Sequence, residues 1–155
     1  MKGNLLETMH IQPITKVYET EAKELVLKGL EEHFGFIDDT CNPDLESIMD
    51  SYSQEKTIFL IGICESKVVC TGAISCESLE VGRVERMSVI KNYRRAGLAK
   101  RMIASLEIWA KEQGYRQLVL ETNNDWYSAI NFYKDRQYQR YLNDGMCSHF
   151  KKSLS

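Results

Sequence analysis

Residues 84–115, VERMSVIKNYRRAGLAKRMIASLEIWAKEQGY, run strand, turn, helix. The stretch 84–89 is β-rich. A turn dense in basic residues follows, and Gly97 opens a long helix over about 97–113. Leu98, Met102, Leu106, Trp109 and Ala110 share one face of that helix, and Gly114 stops it. The next apolar run, LVLET (118–122), is a second strand. Two strands joined by a helical crossover are expected to lie parallel.

On the N-terminal side the pattern turns antiparallel. TIFLIGIC (57–64) and VVCTGAISC (68–76) are joined by Glu65-Ser66-Lys67 and read as a hairpin. Ahead of them, Ala22, Leu25, Val26, Leu30 and Phe34 mark a helix over about 20–33, with Gly35 as its stop. Asn42 as N-cap and Pro43 at the first helical position open another helix, with Leu45, Ile48, Met49 and Tyr52 as its buried stripe. Residues 10–14 form a short first strand. After the LVLET strand come a short helix (128–135) and two strands within 138–152. This order predicts an α/β (α+β) fold with a mixed, mostly antiparallel central sheet, one parallel strand pair and helices on both faces. No linker or repeat divides residues 1–155, so a single domain is expected.

Composition narrows the function. Lys+Arg 20 against Asp+Glu 22 gives a net charge of −2, and 43% of the 155 residues are hydrophobic. That balance argues against a disordered chain and against a strongly basic nucleic-acid binder. The five cysteines (Cys41, Cys64, Cys70, Cys76, Cys147) include no C-x-x-C pair and suit a reducing compartment. Neither they nor His10, His33 and His149 have zinc-site spacing, so no metal is expected. No segment reads as a targeting signal or a membrane span. A cytoplasmic protein without nucleic-acid or membrane partners is the expectation.

The chemistry centres on the start of the long helix. A helix N-terminus presents free N–H groups and the positive end of a dipole, which suits phosphate. Arg94, Arg95, Lys100 and Arg101 add cations, and Gly97 and Ala99 leave room for a close backbone approach. Cations crowded at the positive end of a dipole call for an anion between them. The stretch is neither a P-loop nor a G-x-G-x-x-G fingerprint.

Arg94-Arg95-Ala96-Gly97-Leu98-Ala99 resembles the [RQ]-x-x-G-x-[GA] loop of the GNAT acetyltransferase superfamily. ERMSV (85–89) resembles the family strand that lies along the acetyl group and pantetheine arm. AINFYKDRQY (129–138) resembles its A-x-x-F-Y-x-x-x-G-[FY] segment, and the element order is the family's. The resemblance implies acetyl-CoA as cosubstrate and transfer of its acetyl group to an amine by direct attack on the thioester. Backbone amides of Arg95, Ala96, Gly97, Leu98, Ala99 and Lys100 would hold the pyrophosphate, with Arg94 opening the loop. Main-chain groups of Met87 and Val89 would pair with the pantetheine. The parallel strands would splay to admit the arm, and Asn124 would contact it. Trp126 stands where the family usually has an asparagine.

Candidate catalytic groups follow. Tyr133 is placed to donate to the departing thiolate; the plain alternative is an aromatic core pair with Phe132. Many relatives carry a glutamate where this chain has Arg83, so Glu85, on the same strand face, becomes the candidate base. Its alternative is a surface carboxylate paired with Arg83 or Arg86. Asp38 and Asp39, in the segment joining the first two helices, would either attract a cationic amine or simply shape a turn. A primary amine of a small molecule or protein is the expected acceptor, and the C-terminal strands offer an edge for a homodimer. A non-catalytic acyl-CoA-binding domain of the same fold is the competing reading, because Arg83 replaces that glutamate.

Overall fold

The computed structural model describes residues 8–34 and 42–154. Among the described residues seven strands form one sheet in the order β1-β2-β3-β4-β5-β7-β6. They are β1 (His10–Pro13), β2 (Ile58–Cys64), β3 (Lys67–Cys76), β4 (Val81–Val89), β5 (Gln117–Asn123), β6 (Gln139–Asn143) and β7 (Cys147–Ser153). Every neighbouring pair is antiparallel except β4 and β5, which are parallel as the crossover predicted. The helices are α1 (Glu19–Phe34), α2 (Ile48–Ser51), α3 (Leu98–Glu112) and α4 (Tyr127–Asp135).

The continuous apolar runs of β2 and β3 have a simple cause: both faces of the sheet are covered. Phe59, Ile61, Val68 and Ala73 pack with Ala22 and Val26 of α1 and with Leu45 and Ile48. Leu60, Val69, Cys70 and Ile74 pack on the other face with Leu98, Met102 and Leu106 of α3 and with Ile130 and Tyr133 of α4.

Two local expectations change. The helix expected at Asn42-Pro43 is a 3-10 turn over Pro43–Leu45, followed by the single turn of α2. Asn42 makes no capping bond; its Oδ1 accepts from Arg86 Nη1 at 2.9 Å. Leu45 and Ile48 are buried as expected, while Met49 faces solvent. Strand β4 begins at Val81, three residues before the β-rich run, because Gly82 and Arg83 carry little strand signal of their own yet pair with both β3 and β5. The stop at Gly35 and the Asp38-Asp39 pair lie outside the described residues.

Helix α4 ends in a Schellman motif. Tyr138 N–H bonds Tyr133 O at 3.0 Å, Gln137 N–H bonds Lys134 O at 3.1 Å, and the rings of Tyr138 and Tyr133 meet edge to face at 5.6 Å. The residue that must turn left-handed is Gln137, with φ +74°. A side chain there is strained, so Gln137→Gly is expected to stabilise the fold by about 0.5–1 kcal/mol. A urea titration should show a higher midpoint at unchanged slope.

Candidate active site

Strands β4 and β5 pair only through Val81–Arg83 and Gln117–Val119. Beyond that they part, and a cleft of about 890 Å³ runs from the gap to the N-terminus of α3. Its size suits a ligand larger than a metabolite fragment. Met87, Val89, Arg94, Arg95, Gly97, Leu98, Ala99, Lys100 and Tyr133 all line it, and Ala96 lies in the same turn. The structure thus gathers one strand end, one turn and one distant helix around a single space.

The turn has the properties of an anion site. Gly97 caps α3 at φ +83°, a conformation that favours glycine. No side chain caps the helix, and no backbone hydrogen bond engages the N–H groups from Arg95 to Lys100 among the described residues. Not all the expected cations remain available. Arg94 holds Glu32 of α1 through Nη1 at 2.8 Å and Nη2 at 3.3 Å, and its Nε donates to Val89 O at 3.0 Å. The Arg94 hydrogen bond to Glu32 holds the Glu32 carboxyl below its usual range. Arg101 turns away and donates to the Met9 carbonyl. Arg95 and Lys100 are exposed, with no ion-pair partner among the described residues. Arg136, at the end of α4, also borders the cleft, and its Nε is buried with no hydrogen-bond partner. An unsatisfied buried N–H beside free amides and free cations is what a polyanionic ligand would complete.

The cleft also reaches Tyr133, 7% exposed. Its phenol is pushed up from the ordinary range, first by burial and then by the nearby Cys70 thiol. The hydroxyl has no hydrogen-bond partner among the described residues. Cys70 itself is pushed up to about 12 by burial, so its thiol stays protonated and is a poor nucleophile. Tyr133 also borders a second cavity of about 160 Å³ between the parted strands, together with Met87, Trp126 and Glu85. Both candidate catalytic groups therefore face one space. Glu85 accepts a hydrogen bond from Tyr52 at 2.5 Å. Arg83 pairs instead with Glu77 at 2.7 Å.

Asn124 does not join this set. Its amide donates to Asn143 Oδ1 at 2.9 Å and accepts from Ser148 Oγ at 2.6 Å. Those bonds tie the end of β5 to the β6–β7 hairpin and leave the side chain outside the cleft lining. Trp126 lines both cavities instead and stacks on His33 of α1, with ring centres 4.2 Å apart. Arg136 and Tyr52 escaped the sequence reading. An arginine near a helix end and a tyrosine on an apolar stripe carry no mark of their role.

Among the described residues the mixed sheet opens between its one parallel strand pair, and the gap runs to an uncapped helix N-terminus, an architecture that defines an α/β class with its cleft between splayed strands. Residues 17–138 match the model of the acetyltransferase (GNAT) family, and the chain belongs to that family. N-acetyltransferase 8B of Homo sapiens is 30% identical over 111 residues, 68% of this chain and 49% of that protein. The chain spans about half the length of the curated relatives it matches. Among solved structures, a GNAT-family acetyltransferase of Staphylococcus aureus Mu50 superposes with a TM-score of 0.87 at 22% identity, covering 95% of this chain and 99% of that one. The PaiA N-acetyltransferase of Thermoplasma acidophilum, solved in complex with coenzyme A, has a TM-score of 0.82 at 13% identity, covering 94% and 98%.

Proposed function

We propose that this chain is an N-acetyltransferase that moves an acetyl group from acetyl-CoA to a primary amine of a small molecule or protein. One observation carries the reading: Glu85 and Tyr133 border a common cavity that adjoins a cleft ending on unbonded backbone amides. The residues present fit the coenzyme. Its phosphates would meet the amides of Arg95 to Lys100, the side chains of Arg95 and Lys100, and the orphaned Nε of Arg136. When bound, acetyl-CoA supplies the activated thioester.

The chain's own groups do the rest. Main-chain atoms of Met87 and Val89 orient the arm, although Arg94 Nε already occupies the Val89 carbonyl. An amine nucleophile must be neutral, and Glu85 takes the proton it loses. Tyr133 offers its O–H to the departing sulfur. Burial keeps that phenol protonated, so it acts as a hydrogen-bond donor more than as a source of a free proton. Among the described residues no cysteine lines either cavity, and the acetyl group passes directly from thioester to amine.

Acetyl-CoA at 100 times its Kd should stabilise the protein by about 2.7 kcal/mol, a rise in Tm of about 5–10 °C, and ATP should not. Release of CoA thiol with spermidine, kanamycin, amino acids and short peptides then tests transfer. Thermal protection with no thiol release would favour the non-catalytic acyl-CoA-binding reading. An unchanged Tm would end both.

A further inference from the structure

Glu85 and Arg86 are consecutive in β4, and a regular strand would send them to opposite faces. Here they converge. The register passes from Ala73↔Glu85 to Thr71↔Ser88, one residue more on β4 than on β3, so the strand carries a bulge. Arg86 sits in it at φ +56°, and Thr71 Oγ donates to its carbonyl at 2.7 Å. The bulge brings both side chains to one cluster. Arg86 grips Asp44 through Nε at 2.9 Å and Nη2 at 2.6 Å. Tyr52, just after α2, donates to Glu85 Oε1 at 2.5 Å and lies 3.3 Å from Asp44 Oδ2. Burial and the Glu85 carboxylate push the Tyr52 phenol far above its ordinary range, so it remains a donor.

We propose that Tyr52 is a positioning residue for Glu85, holding the carboxylate in place before and after it takes the proton of the acceptor. The proposal rests on the reading of Glu85 as base. One phenol O–H faces two carboxylates. While Glu85 is ionised, the O–H points at its Oε1, and no described residue bonds the other oxygen. The open oxygen takes the amine proton, and Oε1, then a carbonyl oxygen, goes on accepting the phenol O–H. Arg86 keeps Asp44 in place behind the phenol as its second acceptor. Both protonation states of Glu85 are thereby hydrogen-bonded; the amine N–H breaks as the Glu85 O–H forms, and the thioester C–S bond breaks as the new C–N bond forms. A phenylalanine could serve neither state.

The test is a double-mutant cycle of Tyr52→Phe and Glu85→Gln, read as CoA thiol release from acetyl-CoA. The acceptor is whichever of spermidine, kanamycin or a short peptide reacts fastest, or water where none does. Tyr52→Phe keeps its ring edge-on to Phe59 at 5.3 Å, so the fold should survive. Its kcat is expected to fall roughly 10- to 100-fold, the scale of one hydrogen bond to a charged group, with the KM for acetyl-CoA unchanged. In the Glu85→Gln background the same change should cost almost nothing more. Wild-type kcat in Tyr52→Phe, or an equal loss in both backgrounds, overturns the proposal. Wild-type kcat in Glu85→Gln overturns it too while leaving acetyl transfer standing. Absence of thiol release even to water removes both.

Discussion

Gly97→Glu should cost the protein its hold on acetyl-CoA while leaving it folded. The new carboxylate would sit at the positive end of α3, where the dipole welcomes a negative charge. It would compete for the same unbonded amides that a diphosphate needs, and repel that diphosphate. Loss of two hydrogen bonds to a charged group, at about 1.5–3 kcal/mol each, weakens affinity by roughly 100-fold or more. Backbone strain at φ +83° adds a penalty to the fold that is independent of charge. Gly97→Ala carries most of that strain without the charge, so comparing the two by isothermal titration separates shape from electrostatics. Affinity within a few-fold of wild type in Gly97→Glu would mean that the coenzyme's phosphates lie elsewhere.

Tyr133→Phe is the second large effect, and it should appear in turnover alone. The hydroxyl has no partner among the described residues, so its removal breaks no bond that supports the fold. The ring contacts with Phe132, Tyr138 and Phe150 remain. Thermal stability should stay within about 0.5 kcal/mol of wild type, the range of substitutions that touch no such feature. Rate is another matter. Without a donor for the departing sulfur, kcat should drop roughly 10- to 150-fold, with acetyl-CoA affinity preserved. A wild-type kcat in steady-state thiol release would return Tyr133 to the aromatic core. A large stability loss with no change in kcat would do the same.

Much of this site is local and therefore legible. The turn from Arg94 to Ala99 announces itself because a helix N-terminus, a glycine at positive φ and clustered cations are properties of adjacent residues. The same holds for the α3 stripe, for the β2–β3 hairpin and for the parallel pairing of β4 with β5, since a crossover helix leaves few alternatives. The segment of Tyr133, which lines the cleft, is legible too, through its likeness to the family's. The fold and the turn at the start of α3 follow from short-range pattern.

Other features arise from contacts between residues far apart in the chain, and no local pattern encodes them. Arg94 looks like a phosphate ligand until Glu32, 62 positions away, takes its guanidinium. Asn124 looks like a cleft residue until Asn143 and Ser148 of the hairpin claim its amide. Glu85 acquires its partner from Tyr52, 33 positions away, and it shares a face with Arg86 only because β4 bulges against Thr71. Periodicity records which face of an element is apolar. Which polar groups meet across the packed faces depends on register, bulges and the parting of two strands, and those are set by the packing of the whole sheet.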